Sequence, residues 1–551
     1  MADIPNTYDE VFLVPKPPYT PTNEVRVCKG VCFEPNYSDT VLWADASAQL
    51  AYIVSHTFQR YENLTPFRLS EGAILVPGPA DDYMECNYLA FMNNDFKNYK
   101  WYFAFINRVE FIDMYTSRIY FDIDVIQTYM FDIDLGSGTF VERAHDPYDE
   151  VGGNIVPENL ELGDYIVNHT ERISTLEDLS IVTAQSVEFN GEVAEGGFYN
   201  GIYSGLKYID FTADARGAEL LSNNIKTLVN SNKGDALIAI WMMPSAFVTY
   251  DDNEVKSFTY SYDAPDRGTL DGYTPKNKKL LTYPFKLLSV SNLSGQNAEY
   301  HFEYFGGDTD KRYTFTVIGD FSPTCTIKLY PNSYNGTKPE AGELETEAFD
   351  YGLTLSGFPQ CAWTTDAYQA YLAQMGSINA FGMEFTGQDL MLGGQIAGGM
   401  VNLLSGNIGG AVSSVFGIAQ SMAKINATKS LPAQAHGQAA NGAMTAFKAK
   451  NFQFNDLSIR RSYARRIDRF FDMFGYQQND VWAISKITNP ASPVNTRKNW
   501  NYIKTQNALL MGTGNIPPAY VEEIQNCFNN GIRFWHNPET FGDYLLDNSI
   551  I

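Results

Sequence analysis

Histidine is scarce in this chain, and the residue spacings that build metal, nucleophile and phosphate sites are missing. The 6 histidines, at 56, 145, 169, 301, 436 and 536, are scattered and form no ligand cluster in sequence. There is no GxSxG, HExxH or P-loop, and no GxGxxG between a strand and a helix. Of the 6 cysteines, only Cys28 and Cys32 lie close together, and this C-x3-C has no second pair to complete a metal site. Free thiols in a protein made in a cytoplasm are the expectation. A secretory leader is not expected either, because the N-terminus opens with acids and prolines where a basic patch and apolar core would stand. No catalytic residue, metal site or cofactor is therefore expected. Paired carboxylates of the glycosidase kind stay open, since 64 acidic residues supply many accidental pairs.

Basic charge is also in short supply. Against 64 acids stand 39 lysines and arginines, a net charge of −25, so the molecule repels nucleic acid and cannot neutralise phosphates as a DNA binder does. That balance suits a passage through which DNA slides without sticking. What the chain does have is a 14% aromatic and 44% hydrophobic composition, which favours folded β-structure over disorder, and a length that predicts about two to four packed units.

The strongest local pattern runs from Trp101 to Ile133. WYFAFINRVEFI and RIYFDIDVIQTYMFDI alternate apolar and polar residues around the turn Asp113 to Ser117, which predicts a hairpin of two long strands. With period two, Phe121, Ile123 and Val125 share one face and Asp122, Asp124 and Ile126 the other. Asp122 and Asp124 then lie on a solvated face, or line a conduit. The middle, about 165 to 365, predicts a helix near Ala213 to Val229, a buried strand at 236 to 244, and strands near 300–304, 313–318 and 324–330, an α+β insertion.

Between Asp389 and Lys424 there is no charged residue. Leu390, Leu392, Ile396, Met400, Val401, Leu403, Leu404, Ile408, Val412, Val415, Phe416 and Ile418 are interleaved there with Gly, Ala and Ser. The run exceeds the roughly 20 apolar residues that a membrane span needs. Its glycine pairs weaken an isolated helix in water by about 1 kcal/mol per glycine, yet let backbones pack closely in lipid or a tight bundle. After it, Asn455 to Ser458 reads as a helix start and IRRSYARRIDRFFDMFGY as an amphipathic helix stopped by Gly475. Its Arg460, Arg461, Arg465, Arg466 and Arg469 are expected to pair with carboxylates of this or a neighbouring subunit, with nucleic-acid contact as the other possibility. A strand, a Pro-capped helix from Pro518 to Asn529, a Gly531 stop and a last strand close the chain.

Three blocks, WYFAFINRVEFIDMYTSRIYFDIDVIQTYMFDI, IRRSYARRIDRFFDMFGY, and NYIKTQ with IQNCFNNGIRFWH, resemble the tail-knob or distal tail-tube proteins of small short-tailed phages of Gram-positive bacteria. The resemblance implies a mainly β, α+β fold with four regions. These are a tube domain built from 1–165 and 456–551, an insertion at 166–365, and a Gly-rich apolar loop at 366–455. It implies a virion tail component, a homo-oligomer (a hexamer) joined to a collar or upper-tail protein and a tail-tip protein. Double-stranded DNA would pass through without stable binding. The apolar loops would plug the tube and then enter the host cell membrane. A receptor- or wall-binding tail protein, or a wall-degrading tail enzyme, are the alternatives.

Overall fold

The computed structural model describes residues 23–64, 72–93, 100–188, 194–199, 202–213, 215–231, 233, 236–248, 256–263, 268–306, 313–339, 348–358, 360–365, 433–437 and 450–551. The chain divides into two compact units. The first takes Met1–Leu160, Lys276–Lys279 and Arg465–Ile551; the second takes Glu161–Pro275 and Leu280–Ala464. Both ends of the chain thus belong to one unit. The division differs from the sequence-based one at its boundaries, the first of which falls after Leu160 rather than at 165. It falls inside the arginine-rich helix rather than before it, and it assigns four residues of the middle stretch to the first unit.

The first unit is built on two sheets. One has six strands in the order Thr57–Glu62, Asn23–Lys29, Cys86–Asn93, Trp101–Asp113, Thr116–Ile123, Ala73–Pro77. The expected hairpin is there: Ile119, Phe121 and Ile123 of its second strand are buried on alternating positions, whereas Phe103, Ala104 and Phe105 of its first are buried in succession. At the sheet's two ends, the Tyr61 hydroxyl of one edge strand donates to the Pro77 carbonyl of the other at 3.1 Å, so the sheet is strongly curled. The other sheet has five strands in the order Asp39–Val41, Ile532–Trp535, Trp500–Asn507, Thr139–Ala144, Tyr476–Trp482. It joins residues almost 500 positions apart: Asp39 stands in register with Arg533, in the one parallel pair of that sheet. Asp39 also accepts from the Arg533 guanidinium and the Trp535 indole, each at 2.7 Å. The helix Pro518–Asn530 ends at Gly531, whose φ of 93° needs no Cβ.

The second unit holds a four-stranded sheet in the order Tyr165–Arg172, Gln453–Ile459, Lys286–Ser291, Asn297–Tyr300. A second four-stranded sheet runs Ser257–Tyr262, Tyr313–Gly319, Ile327–Pro331, Leu353–Leu355. A five-stranded sheet runs Lys207–Thr212, Leu179–Gln185, Leu237–Pro244, Gln360–Thr365, Ala433–Gly437. With the helix Ala215–Asn230 they enclose a core that includes Trp241, Tyr262, Phe315 and Phe454. Residues 300–304 hold only the end of a strand and a short 3-10 turn.

Two further expectations are corrected. Asn455 to Ser458 is no helix start but the middle of the strand Gln453–Ile459, because Phe454, Asp456 and Ser458 are buried at alternating positions. That period-two burial outweighs the capping signal, and the helix begins at Arg461. Likewise the second hairpin strand stops at Ile123, and Val125–Tyr129 turns into a short helix with Val125 and Ile126 both buried.

The helix Arg461–Phe474 does end at Gly475, which has φ 64°. A Cβ there would sit 2.2 Å from the Ala144 carbonyl carbon and oxygen. Gly475→Ala combines left-handed strain with a backbone clash, and is expected to destabilise the fold by about 2 kcal/mol or more. Urea unfolding of the two proteins checks this, and coincident midpoints would contradict it.

Candidate assembly surfaces and charged elements

The polar chemistry of the first unit gathers around Glu158, which is buried, as is Lys279. The Lys279 ammonium lies 2.6 Å from one Glu158 oxygen, Arg143 pairs with the other, and the Gln477 amide donates to the carboxylate at 3.1 Å. Burial lowers the Lys279 ammonium from its ordinary range, opposed by the Glu158 charge beside it. Next to it, buried Asp468 accepts from the Lys276 and Asn277 amides at 2.8 and 3.0 Å and from the Asn277 side chain at 2.8 Å. Asp149 accepts from the Tyr476 hydroxyl at 2.6 Å and the Lys278 amide at 3.1 Å. Every one of these groups is occupied by a neighbour, which is what burial demands.

Histidine is used in the same way. Nδ1 of His145 accepts from the Tyr502 amide at 2.8 Å, so Nε2 carries the proton and donates to the Asp472 carbonyl at 3.0 Å. Burial, helped by the Arg497 charge, pushes the ring down to about 3, so it stays neutral. His536 is pushed down to about 4 by burial. Both nitrogens of the His145 ring are thus occupied, and Nε2 of His536 lies 3.0 Å from the Asn501 side-chain oxygen. Among the described residues no group of three or more His, Cys, Asp or Glu is placed to hold a metal ion. Cys28 and Cys32 are free thiols there, and Cys32 accepts a bond from the Tyr52 hydroxyl at 3.3 Å.

The two hairpin acids part company. Asp122 is exposed and accepts from the Asn107 side chain at 2.7 Å. Asp124 is only 1% exposed and does not share that face. It caps the helix Val125–Tyr129 by accepting from the Gln127 amide at 3.0 Å, and it accepts from the Tyr88 hydroxyl at 2.8 Å. Alternation failed here because the strand had already ended, and an Asp followed three residues on by Gln is itself a cap signature.

The five arginines, Arg460, Arg461, Arg465, Arg466 and Arg469, are all exposed, while Ala464, Ile467, Asp468, Phe471 and Asp472 of the same helix are buried. The Arg461 amide is capped from outside, donating to Asp271 at 3.1 Å. The apolar residues from Leu390 to Ile418 lie outside the described residues. Among those described, no helix is long and apolar enough to cross a membrane.

The hairpin tip was not singled out from sequence. The strand Cys86–Asn93 stops pairing at Phe105, so among the described residues Ile106–Asp113 has a strand neighbour only on the Thr116–Ile123 side. Phe111 is 60%, Met114 73% and Tyr115 78% exposed. Met114 and Tyr115 fall in the turn expected from the sequence, whereas alternation alone reads Phe111 as core.

Three comparisons with known proteins bear on this arrangement. The model of the family described as "Bacillus phage phi29, Tail knob protein gp9, C-terminal domain" matches residues 246–549, and that of the caudoviral major tail protein N-terminus matches 20–134. The chain is 25% identical to the tail knob protein gp9 of Bacillus phage B103, covering 96% of this chain and 98% of that protein. It is 24% identical to gp9 of Bacillus phage phi29, covering 97% and 99%. The solved structure of the bacteriophage C1 tail knob protein, gp12, superposes with a TM-score of 0.60 at 13% identity, over 96% of this chain and 100% of that one.

Burial raises the Asp124 carboxyl to about 7 from the ordinary 3.8, against the bonds from Gln127 and Tyr88. Between those values the folded chain holds a proton that the unfolded chain has lost, so stability falls as pH rises and levels off above about 7. Asp124→Asn keeps a capping side chain and never charges. Its stability relative to the unaltered protein is expected to improve as the pH of urea unfolding goes from about 5 to 8, and a difference independent of pH would contradict this.

Proposed function

The chain belongs to the family of the tail knob protein gp9 of Bacillus phage phi29, a structural component of a short phage tail and so of the virion; from that premise we propose that it assembles into a hexameric tube for genome ejection. Collar or upper-tail protein and tail-tip protein adjoin the ring. DNA passes through its bore without stable binding. Before infection the apolar segments of 376–445 plug the bore, and on release they enter the host cell membrane as a channel.

The observation that carries assembly is the strand edge Ile106–Asp113, unpaired among the described residues, with its exposed apolar tip. An open edge presents unpaired main-chain donors and acceptors, and exposed aromatic and aliphatic side chains favour burial at about 25 cal/mol per Å². A ring of subunits covers both. The net charge of −25 supports the conduit, since a negative wall lowers the affinity for a phosphate backbone that has to keep moving. The uncharged stretch between Asp389 and Lys424 supports the membrane step, because it is apolar enough to leave a shielded bore only for another apolar medium.

Dye-loaded vesicles test the last step. The isolated 389–424 peptide is expected to release dye at micromolar concentration, and replacing Leu403, Leu404 and Phe416 by Asp is expected to cut the release at least tenfold. No leakage from neutral or anionic lipid would remove the membrane role and leave a permanent plug.

A further inference from the structure

Among the described residues, the outer half of the long hairpin strand is paired on one side only. Ile106–Asp113 meets Thr116–Phe121, and between two register shifts Arg108–Phe111 keep a regular ladder with Tyr120, Ile119, Arg118 and Ser117. Asn107, Arg108, Phe111, Ile112 and Asp113 along it are exposed. The end strands of the same sheet, Thr57–Glu62 and Ala73–Pro77, are instead joined through the Tyr61 hydroxyl and the Pro77 carbonyl at 3.1 Å. In the five-stranded sheet the outer strand Tyr476–Trp482 carries Gln477, Gln478, Asn479 and Asp480, where the hairpin edge carries Val109, Phe111 and Ile112. An edge with apolar side chains accepts an extended segment whose main chain completes the ladder and whose side chains cover the apolar ones.

The chain holds a segment of that kind. Tyr8–Val14 reads YDEVFLV, rich in aromatic and β-branched residues and bounded by Asn6 and Thr7 on one side and Pro15 on the other, the composition of a strand. It lies outside the described residues. Eight residues, PKPPYTPT, link it to the strand Asn23–Lys29, and four of them are proline. Such a composition makes a semi-rigid extended rod of about 3.1 Å per residue, roughly 25 Å in all.

The root of this arm is fixed. The Asn23 side chain donates to the Leu64 carbonyl at 2.9 Å and accepts from the Leu64 amide at 2.8 Å, and the Asn63 amide donates to the Asn23 carbonyl at 2.8 Å. Asn23 is in register with Asn93 and Met92 with Trp101, whereas Cys28 is in register with Tyr88 and Tyr88 with Phe105. The strand Asn23–Lys29 thus runs towards the hairpin tip, and the residues before it lead away from the tip of their own chain. A stiff proline rod resists turning back. We propose that Tyr8–Val14 adds as a strand to the Ile106–Asp113 edge of an adjacent copy, a copy whose presence rests on the tube reading above. Arm and edge are different surfaces, so the exchange is head-to-tail, and such contacts close into rings or run on as filaments.

The test places the photoreactive analogue p-benzoylphenylalanine in place of Phe12 in the full-length protein. Native mass is read before irradiation, and chain mass under denaturing conditions after it. Pairs of chains joined from residue 12 to the stretch 106–115 are expected. Val11→Pro with Leu13→Pro removes two main-chain donors from the arm and is expected to cut that product about tenfold or more, with the melting temperature unchanged. A link within a single chain would assign the arm to its own edge. That result, a link to another surface of the neighbour, or no link in an assembled protein would each overturn the proposal and leave the tube intact. A product undiminished by the two prolines would overturn strand addition. A native mass of one chain at every concentration would refute the tube reading itself, and the proposal with it.

Discussion

A carboxylate sealed away from water has to be surrounded by donors, and Glu158 collects its donors from three distant parts of the chain. Arg143 and Lys279 pair with it, and the Gln477 amide completes the set. Removing one partner from such a buried group costs about 3–5 kcal/mol, because the charge left behind has no water to turn to. The first unit therefore cannot form from its N-terminal stretch alone; it needs residues near 279 and near 477 to arrive together. Asp468 repeats the device with Lys276 and Asn277, and Asp39 with Arg533 and Trp535. These long-range pairs explain how a unit made from both ends of the chain is held to one register.

The same chemistry recurs at other buried titratable groups of the first unit. His145 is held neutral between a main-chain donor and a main-chain acceptor, and the buried acids serve as caps and anchors. Polar groups tied up in this way fix geometry. What the described surface offers is shape: a strand edge, open among the described residues, with an apolar tip. That is a feature of a part that is finished by its neighbours, as membership of a tail knob family leads one to expect.

Much of this was legible in the sequence where the signal is local. The hairpin from Trp101, the helix stopped by Gly475 and the Pro518 helix stopped by Gly531 follow from periodicity and from turn residues. The strand at 453–459 did not, because Asn, Asp and Ser in a row resemble a cap, and only the partners Tyr165–Arg172 and Lys286–Ser291 make it a strand. Asp124 was misplaced for a related reason, since alternation carries no mark of where a strand ends. The Glu158 network and the four-residue graft at 276–279 lay beyond reach, as no sequence period links residues more than 100 positions apart. The exposed tip was legible in part: Met114 and Tyr115 fall in the expected turn, but Phe111 looks like core until the neighbouring strand is seen to stop at Phe105.

Images of the purified full-length protein, averaged by particle orientation, bear most directly on the central claim. The account predicts rings with six-fold symmetry seen end-on, carrying density in the bore that is lost when residues 376–445 are deleted. Solitary two-lobed particles without a central opening, at concentrations where phage tail parts assemble, would contradict it.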